Sequence, residues 1–327
     1  LVQNVVIRFF NFKKEVGNVI EYCIGVPSDT SGNTSVHPLN DLLPVLVDYV
    51  KSVIDIVIVT ALDQWLVIGI VLIFVLGYTV MLCVLGLLSL VGLWEFLNAK
   101  KLIYTPFGVT ALIADVLYYI LIYFYNRPYI TLYMIFLFSI FAISDIIIFV
   151  SKYPKYELES LYASYFSVFY IGVSLSFLYL TRVHPWGAYL VWLSIFSSWG
   201  CDVFAYLGGM LYGKRRIFPV ISPKKTLEGC VTGVIGAGFL AFIYALCVQK
   251  YILDINGEVI IFPIVCMLGA LIGMFGDLFA SAIKRKEGIK DYSKILPGHG
   301  GILDRFDSVI LVSPIIYLIT IIIRIIN

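Results

Sequence analysis

The chain has 327 residues, 61% of them hydrophobic and 13% charged, with 23 Lys and Arg against 21 Asp and Glu. A soluble globule carries about a quarter charged residues. This composition, with a mean hydropathy of +0.96, therefore excludes an ordinary water-soluble enzyme and fits a polytopic helical membrane protein. The six cysteines (23, 83, 201, 230, 247 and 266) show no CxxC spacing and mostly fall in apolar runs. They read as small core residues, neither a disulfide framework nor a zinc site. No signal peptide is expected, because the opening apolar run is short and no A-x-A cleavage site follows.

Residues 1–26 mix apolar and charged side chains without a clear span, and residues 27–41 (PSDTSGNTSVHPLND) are rich in turn formers. From residue 42 the pattern turns helical, with Asp48, Lys51 and Asp55 on one face, as in an interfacial amphipathic helix. Residues 1–55 are thus expected to form an N-terminal, partly amphipathic extension. The apolar run 56–97 is too long for one helix across ~30 Å of hydrocarbon and divides at Gly77 and Tyr78. Further spans are expected at about 106–125, 129–150, 160–181, 186–210, 228–249, 259–283 and 307–326. The fold class is all-α, with about nine transmembrane helices. One group of helices covers 56–181, and a second region, 186–327, carries the polar loops 211–227 and 284–306.

Positive charge orients these spans. The loops holding Lys100 and Lys101, Lys152 and Lys155, Lys214 to Lys225, and Lys284 to Arg305 contain fifteen Lys or Arg, against four on the opposite side. That bias puts both large polar loops in the cytoplasm. It rests on those two loops, since without them the two sides are equal. Gly229 with Gly233, and Gly269 with Gly273, are GxxxG pairs that call for close helix packing; Gly236-x-Gly238 lacks the strand–turn–helix context of a dinucleotide site.

Three stretches carry chemistry. In 276–307, four aspartates, a run of Lys and Arg, and a His in a Gly-rich turn interrupt the apolar chain. Asp277, Ser281 and Lys284 recur at i, i+4 and i+7, so they share one helix face. A carboxylate at the edge of hydrocarbon costs at least ~2.5 kcal/mol and needs a partner. A cation is the best partner, with the second acidic cluster, Asp304 and Asp307, as the source of co-ligands. Carboxylates around a hard divalent cation, ringed by Lys and Arg, suit a phosphate-rich substrate. The turn of residues 298–301 (GHGG) leaves the backbone open to a phosphate or base, with His299, Gly300 and Gly301 as contacts. Asp304 as the N-cap of the last helix is the structural alternative.

In 198–206 (SWGCDVFAY), Asp202 lies inside a span with Tyr206 one turn on, as the lining of a polar pocket or as an interhelical hydrogen bond. In 222–229 (SPKKTLEG), Ser222 or Thr226 can cap a helix, and Pro223 suits a first turn. Amide groups at a helix start, with Lys224 and Lys225, make a phosphate cradle. A basic loop touching anionic lipid heads is the plainer reading.

The stretch 281–307, SAIKRKEGIKDYSKILPGHGGILDRFD, resembles the signature of the phosphatidate cytidylyltransferases (CDP-diacylglycerol synthases), and the two shorter motifs resemble that family as well. The likeness covers roughly 186–313 and leaves 1–55 without a counterpart. It implies a nucleotidyltransferase that converts CTP and phosphatidic acid into CDP-diacylglycerol and pyrophosphate with Mg²⁺, a second cation being an open option. It further implies Asp277 and Asp304 as metal ligands, a homodimer, and a bacterial inner-membrane location. Lys284 is expected to act with the two aspartates, while Lys224, Lys225, Arg285 and Arg305 hold phosphates as charge-assisted donors. Ser281 completes the polar face. No nucleic-acid partner is expected. Two other readings remain: a CTP-dependent enzyme for another lipid phosphate or a polyprenol, and a cation-coupled transporter, which would not need a basic, Gly-rich loop.

Overall fold

The computed structural model describes residues 77–252, 257–295 and 300–326. Among them are eight helices long and apolar enough to cross a membrane. We label them α1 (Tyr78–Ala99), α2 (Pro106–Tyr123), α3 (Ile130–Ser151), α4 (Leu158–Val183), α5 (Gly187–Tyr212), α6 (Leu227–Val248), α7 (Glu258–Lys286) and α8 (Leu303–Ile326). The described residues hold no strand beyond an isolated bridge between Arg216 and Thr226. The all-α polytopic fold expected from hydropathy is the one observed. The expected extension 1–55 and span 56–77, save Gly77, lie outside the described residues.

Local chemistry sets the helix ends. Thr105 caps α2, its hydroxyl accepting from the Gly108 amide, with Pro106 at the first helical position. Gly257, at φ +80°, leads into α7 in a left-handed conformation that glycine adopts without strain. Two helices contain a π-turn, Val168–Val173 in α4 and Phe196–Gly200 in α5. Such insertions widen the helix by one residue and redirect the side chains that follow.

The π-turn of α4 is braced from the side. A Cβ on Gly172 would collide with Oδ1 of Asp115, and Tyr119 donates to the Gly172 carbonyl at 3.2 Å. Asp115 is itself fully buried and takes the Ser89 hydroxyl at 2.9 and 3.0 Å. In α3 only Phe141 and Asp145 are buried.

Small residues pull the second half together. A Cβ on Gly229 would come 2.7 Å from the Ala205 carbonyl oxygen, so α6 lies hard against α5. A Cβ on Gly276 would come 2.7 Å from the Asp307 carbonyl oxygen, which fixes the crossing of α7 and α8. That crossing seats Asp277 beside the acidic start of α8. Toward the other end of these helices, Leu190, Leu193, Phe262, Val265, Val312 and Ile316 form an apolar core.

Candidate active site

The connection from α5 to α6 folds into a tight hairpin. Lys214 and Arg215 donate backbone amides to Glu228 at 3.0 and 3.2 Å, and the Leu227 amide reaches the Arg215 carbonyl at 2.9 Å. Thr226 is the cap of α6, accepting from the Gly229 amide at 3.2 Å. Ser222 instead belongs to the hairpin, where its carbonyl accepts from the Lys225 amide at 3.2 Å, and Pro223 precedes the helix. The hairpin delivers Lys225 to Asp277 on α7, Nζ to Oδ2, at 2.6 Å. Burial opposes charging of Lys225, but the attraction of Asp277 and Asp202 outweighs it, so its pKa stands above the ordinary lysine value. Lys224, next to it, is exposed.

On α7 the shared face is present. Ser281 makes a long 3.5 Å contact to Oδ1 of Asp277, and Lys284 reaches across to α8, donating to Oδ1 of Asp304 at 2.7 Å. Oδ2 of Asp304 accepts the amides of Gly301 and Tyr292, each at 2.9 Å. Asp304 therefore organises the loop as well as offering a carboxylate. A carboxylate has about four lone-pair sites, so these three donors leave one. Tyr292 lies under Lys284, with the ammonium 5.5 Å from its ring centre, and burial raises its phenol pKa, with Asp304 adding to the shift. Arg285 is exposed and donates to the Ile289 carbonyl at 3.4 Å. The carbonyl of Arg305 accepts from the Trp199 indole at 3.2 Å, tying α8 to the π-turn of α5.

The two glycines of the turn serve different ends. Gly300 has φ +80°, a conformation costly to any residue with a Cβ. A Cβ on Gly301 would stand 2.6 Å from both carboxylate oxygens of Glu95. His299 lies outside the described residues.

Asp202 follows the π-turn of α5 and is exposed, within electrostatic reach of Asp277 and Lys225. Tyr206, one turn on, is half-buried. Asp307 is 7% exposed, accepts the Ser308 amide at 2.7 Å, and feels Asp277, Lys284 and Asp202. Asp202, Asp277 and Asp307 thus act on one another, with Lys225 and Lys284 among them.

Sequence reasoning missed Glu95. It is the one acidic residue of α1 and is fully buried, and it holds residues of the signature loop that lie 198 to 208 positions further along the chain. Its Oε1 accepts Ser293 Oγ at 2.6 Å and the Ile302 amide at 2.9 Å, and its Oε2 accepts the Leu303 amide at 2.7 Å. The start of α8 is the positive end of a helix, which suits a carboxylate. Lys100, just past α1, adds an ion pair to Glu287 at 2.5 Å. The available signal was a lone acid in an apolar span.

Among the described residues, no group of three or more His, Cys, Asp or Glu is arranged to hold an ion. A magnesium ion does not require one: it takes one or two carboxylates and fills its remaining positions with water and substrate phosphate. Asp277 and Asp304 fit that demand, because each already holds a cationic group, the ammonium of Lys225 or of Lys284.

Comparison with known proteins gives a consistent picture. A model of the cytidylyltransferase family matches residues 58–323. The phosphatidate cytidylyltransferase of Staphylococcus aureus (strain COL) is 35% identical over 248 residues, which cover 75% of this chain and 91% of the relative. Its namesake in Rickettsia bellii is 40% identical over 151 residues, 46% of this chain and 65% of the relative. The one in Thermotoga maritima is 38% identical over 171 residues, covering 51% and 62%.

Proposed function

The chain belongs to the cytidylyltransferase family, and we propose that it transfers the cytidylyl group of CTP to phosphatidic acid for phospholipid biosynthesis. The observation that carries this reading is the pair of lysine-held aspartates, Asp277 and Asp304, where the two polar loops meet the ends of α7 and α8.

In the reaction an oxygen of the lipid phosphate forms a bond to the α-phosphorus of CTP. The bond from that phosphorus to the bridging oxygen breaks, pyrophosphate leaves, and CDP-diacylglycerol remains. The lipid phosphate is already ionised at neutral pH, so no strong general base is needed. Asp277 and Asp304 are the residues that would hold magnesium, which when bound neutralises charge on the phosphates. Lys225 stays protonated beside Asp277 and turns to the nucleotide phosphates as they arrive. Lys284 turns to them from Asp304, while Lys224, Arg285 and Arg305 extend the basic rim. Asp202 acts on Asp277 from α5, with Tyr206 one turn on. Glu95 holds Ser293, Ile302 and Leu303, so Asp304 enters the site at a fixed place.

The acyl chains stay in the bilayer, consistent with eight membrane-crossing helices among the described residues. The positive-charge bias supports a cytoplasmic active site in the bacterial inner membrane. A homodimer is part of the same proposal.

Detergent-solubilised protein should release pyrophosphate only when CTP, phosphatidic acid and Mg²⁺ are all supplied. Equal release with a polyprenol acceptor, or release without any lipid, would overturn the proposal.

A further inference from the structure

One polar atom outside the signature region faces the site without a partner. Tyr170 sits in the π-turn of α4 and is 6% exposed, and its hydroxyl has no hydrogen-bond partner among the described residues. A buried hydroxyl left unpaired costs about 1–3 kcal/mol, so such a group calls for an explanation.

Its ring is firmly held. It stacks on Phe166 with centroids 4.8 Å apart and meets the edge of Phe279 at 5.5 Å. The charged or ionisable groups that act on it are Asp307, Tyr292 and Asp277, so the hydroxyl lies on the acid-cluster side. The π-turn that sets this direction is braced by Asp115 and Tyr119. On the other side, Phe279 and Phe169 are 42% and 47% exposed on the apolar surface of the bundle. Tyr170 therefore stands between a bilayer-facing aromatic surface and the reacting centre.

We propose that Tyr170 is a substrate-binding residue whose hydroxyl donates a hydrogen bond to the phosphate of the lipid substrate as it enters sideways from the bilayer. The proposal rests on the lipid-plus-nucleotide reading above. The basic hairpin and signature loop serve the nucleotide from the aqueous side, whereas Tyr170 belongs to a membrane helix. A phenol donates to an anion without adding charge, and here its hydroxyl is bonded to neither Asp277 nor Asp307.

Tyr170→Phe removes only the hydroxyl and keeps the ring contacts. The variant should unfold at a higher temperature than the wild type, because an unsatisfied group has been deleted. Its KM for phosphatidic acid should rise about tenfold, the value of one hydrogen bond to a charged group, while its KM for CTP stays the same. Phosphatidic acid should also raise the wild-type Tm more than that of Tyr170→Phe, with diacylglycerol shifting neither.

This second readout needs no turnover. An inactive wild type overturns the function reading, and the thermal shift still decides the role of Tyr170. A lower Tm for Tyr170→Phe assigns the hydroxyl a structural bond and overturns the proposal. An unchanged KM for phosphatidic acid, or a rise confined to CTP, overturns it equally.

Discussion

In the first half of the bundle, Asp115 and Asp145 are buried against hydroxyls, Ser89 at 2.9 Å and Thr110 at 2.6 Å. In the second half, Asp277 and Asp304 are held by the ammonium groups of Lys225 and Lys284. All four lie in membrane helices, and the chemistry of their partners separates their tasks. A hydroxyl partner suits a carboxyl that stays where it is, and Asp115, both of whose oxygens take the Ser89 hydroxyl, accordingly braces a π-turn. A lysine holds a carboxylate that can exchange one cation for another, and it offers itself to phosphate when that exchange occurs. Both halves nevertheless serve one centre, since α1 supplies Glu95 and α4 supplies Tyr170.

The sharpest way to break this contrast is to neutralise one lysine-held acid. Asp277→Asn should reduce turnover by about a thousandfold or more, because a metal's charge stabilisation is worth several kcal/mol. Expression and membrane insertion should be unchanged. Asp304→Asn should be as inactive and should also loosen the loop, because the Lys284 ion pair is lost with it. Near-normal pyrophosphate release by Asp277→Asn would remove this acid from the catalytic group.

Next in size is Glu95, which lies in the first half but is bound to the second. In Glu95→Gln an amide group replaces one acceptor, facing backbone donors that need a carboxylate. Charge-assisted bonds of about 1.5–3 kcal/mol predict a loss of roughly ten- to a hundredfold in kcat/KM. The Mg²⁺ concentration for half-maximal activity should rise, since Ile302 and Leu303 immediately precede Asp304. A variant with less folded protein but unchanged Mg²⁺ dependence would reduce Glu95 to a folding role. Lys225→Gln should have a smaller and more selective effect, raising the KM for CTP about tenfold, as expected for one charged contact to phosphate. Substrate titrations of the purified variant would check it.

The helices were legible because hydropathy is local. Spans expected at 129–150 and 228–249 are found at Ile130–Ser151 and Leu227–Val248. The face shared by Asp277, Ser281 and Lys284 followed from helical spacing alone. Pairings across the chain were not legible. Nothing local assigns Lys225 to Asp277 and Lys284 to Asp304, because those choices depend on how α5 to α8 cross. Glu95 escaped notice because one acid scarcely lowers the mean hydropathy of α1, and its partners begin 198 residues later. The π-turns were hidden as well: their sequences, VFYIGV and FSSWG, read as ordinary helix until neighbours such as Asp115 are in place.

The smallest expected effect tests the comparison from the other side. Asp145 is fully buried, with Oδ1 accepting from Thr110 and Oδ2 unpartnered among the described residues. Asp145→Asn keeps an acceptor for Thr110 and removes the prospect of a buried charge, with almost no change in shape. If this acid only joins α2 to α3, the variant should keep specific activity within about twofold and stability within about 1 kcal/mol, the scale of a single neutral hydrogen bond. Asp277→Asn is the same change of atoms at a half-buried position, yet it should cost about three orders of magnitude in rate. Activity and thermal unfolding measured on both variants side by side would expose the difference. Equal losses would show that any buried carboxyl in this bundle is indispensable, and that the identity of its partner carries no information about function.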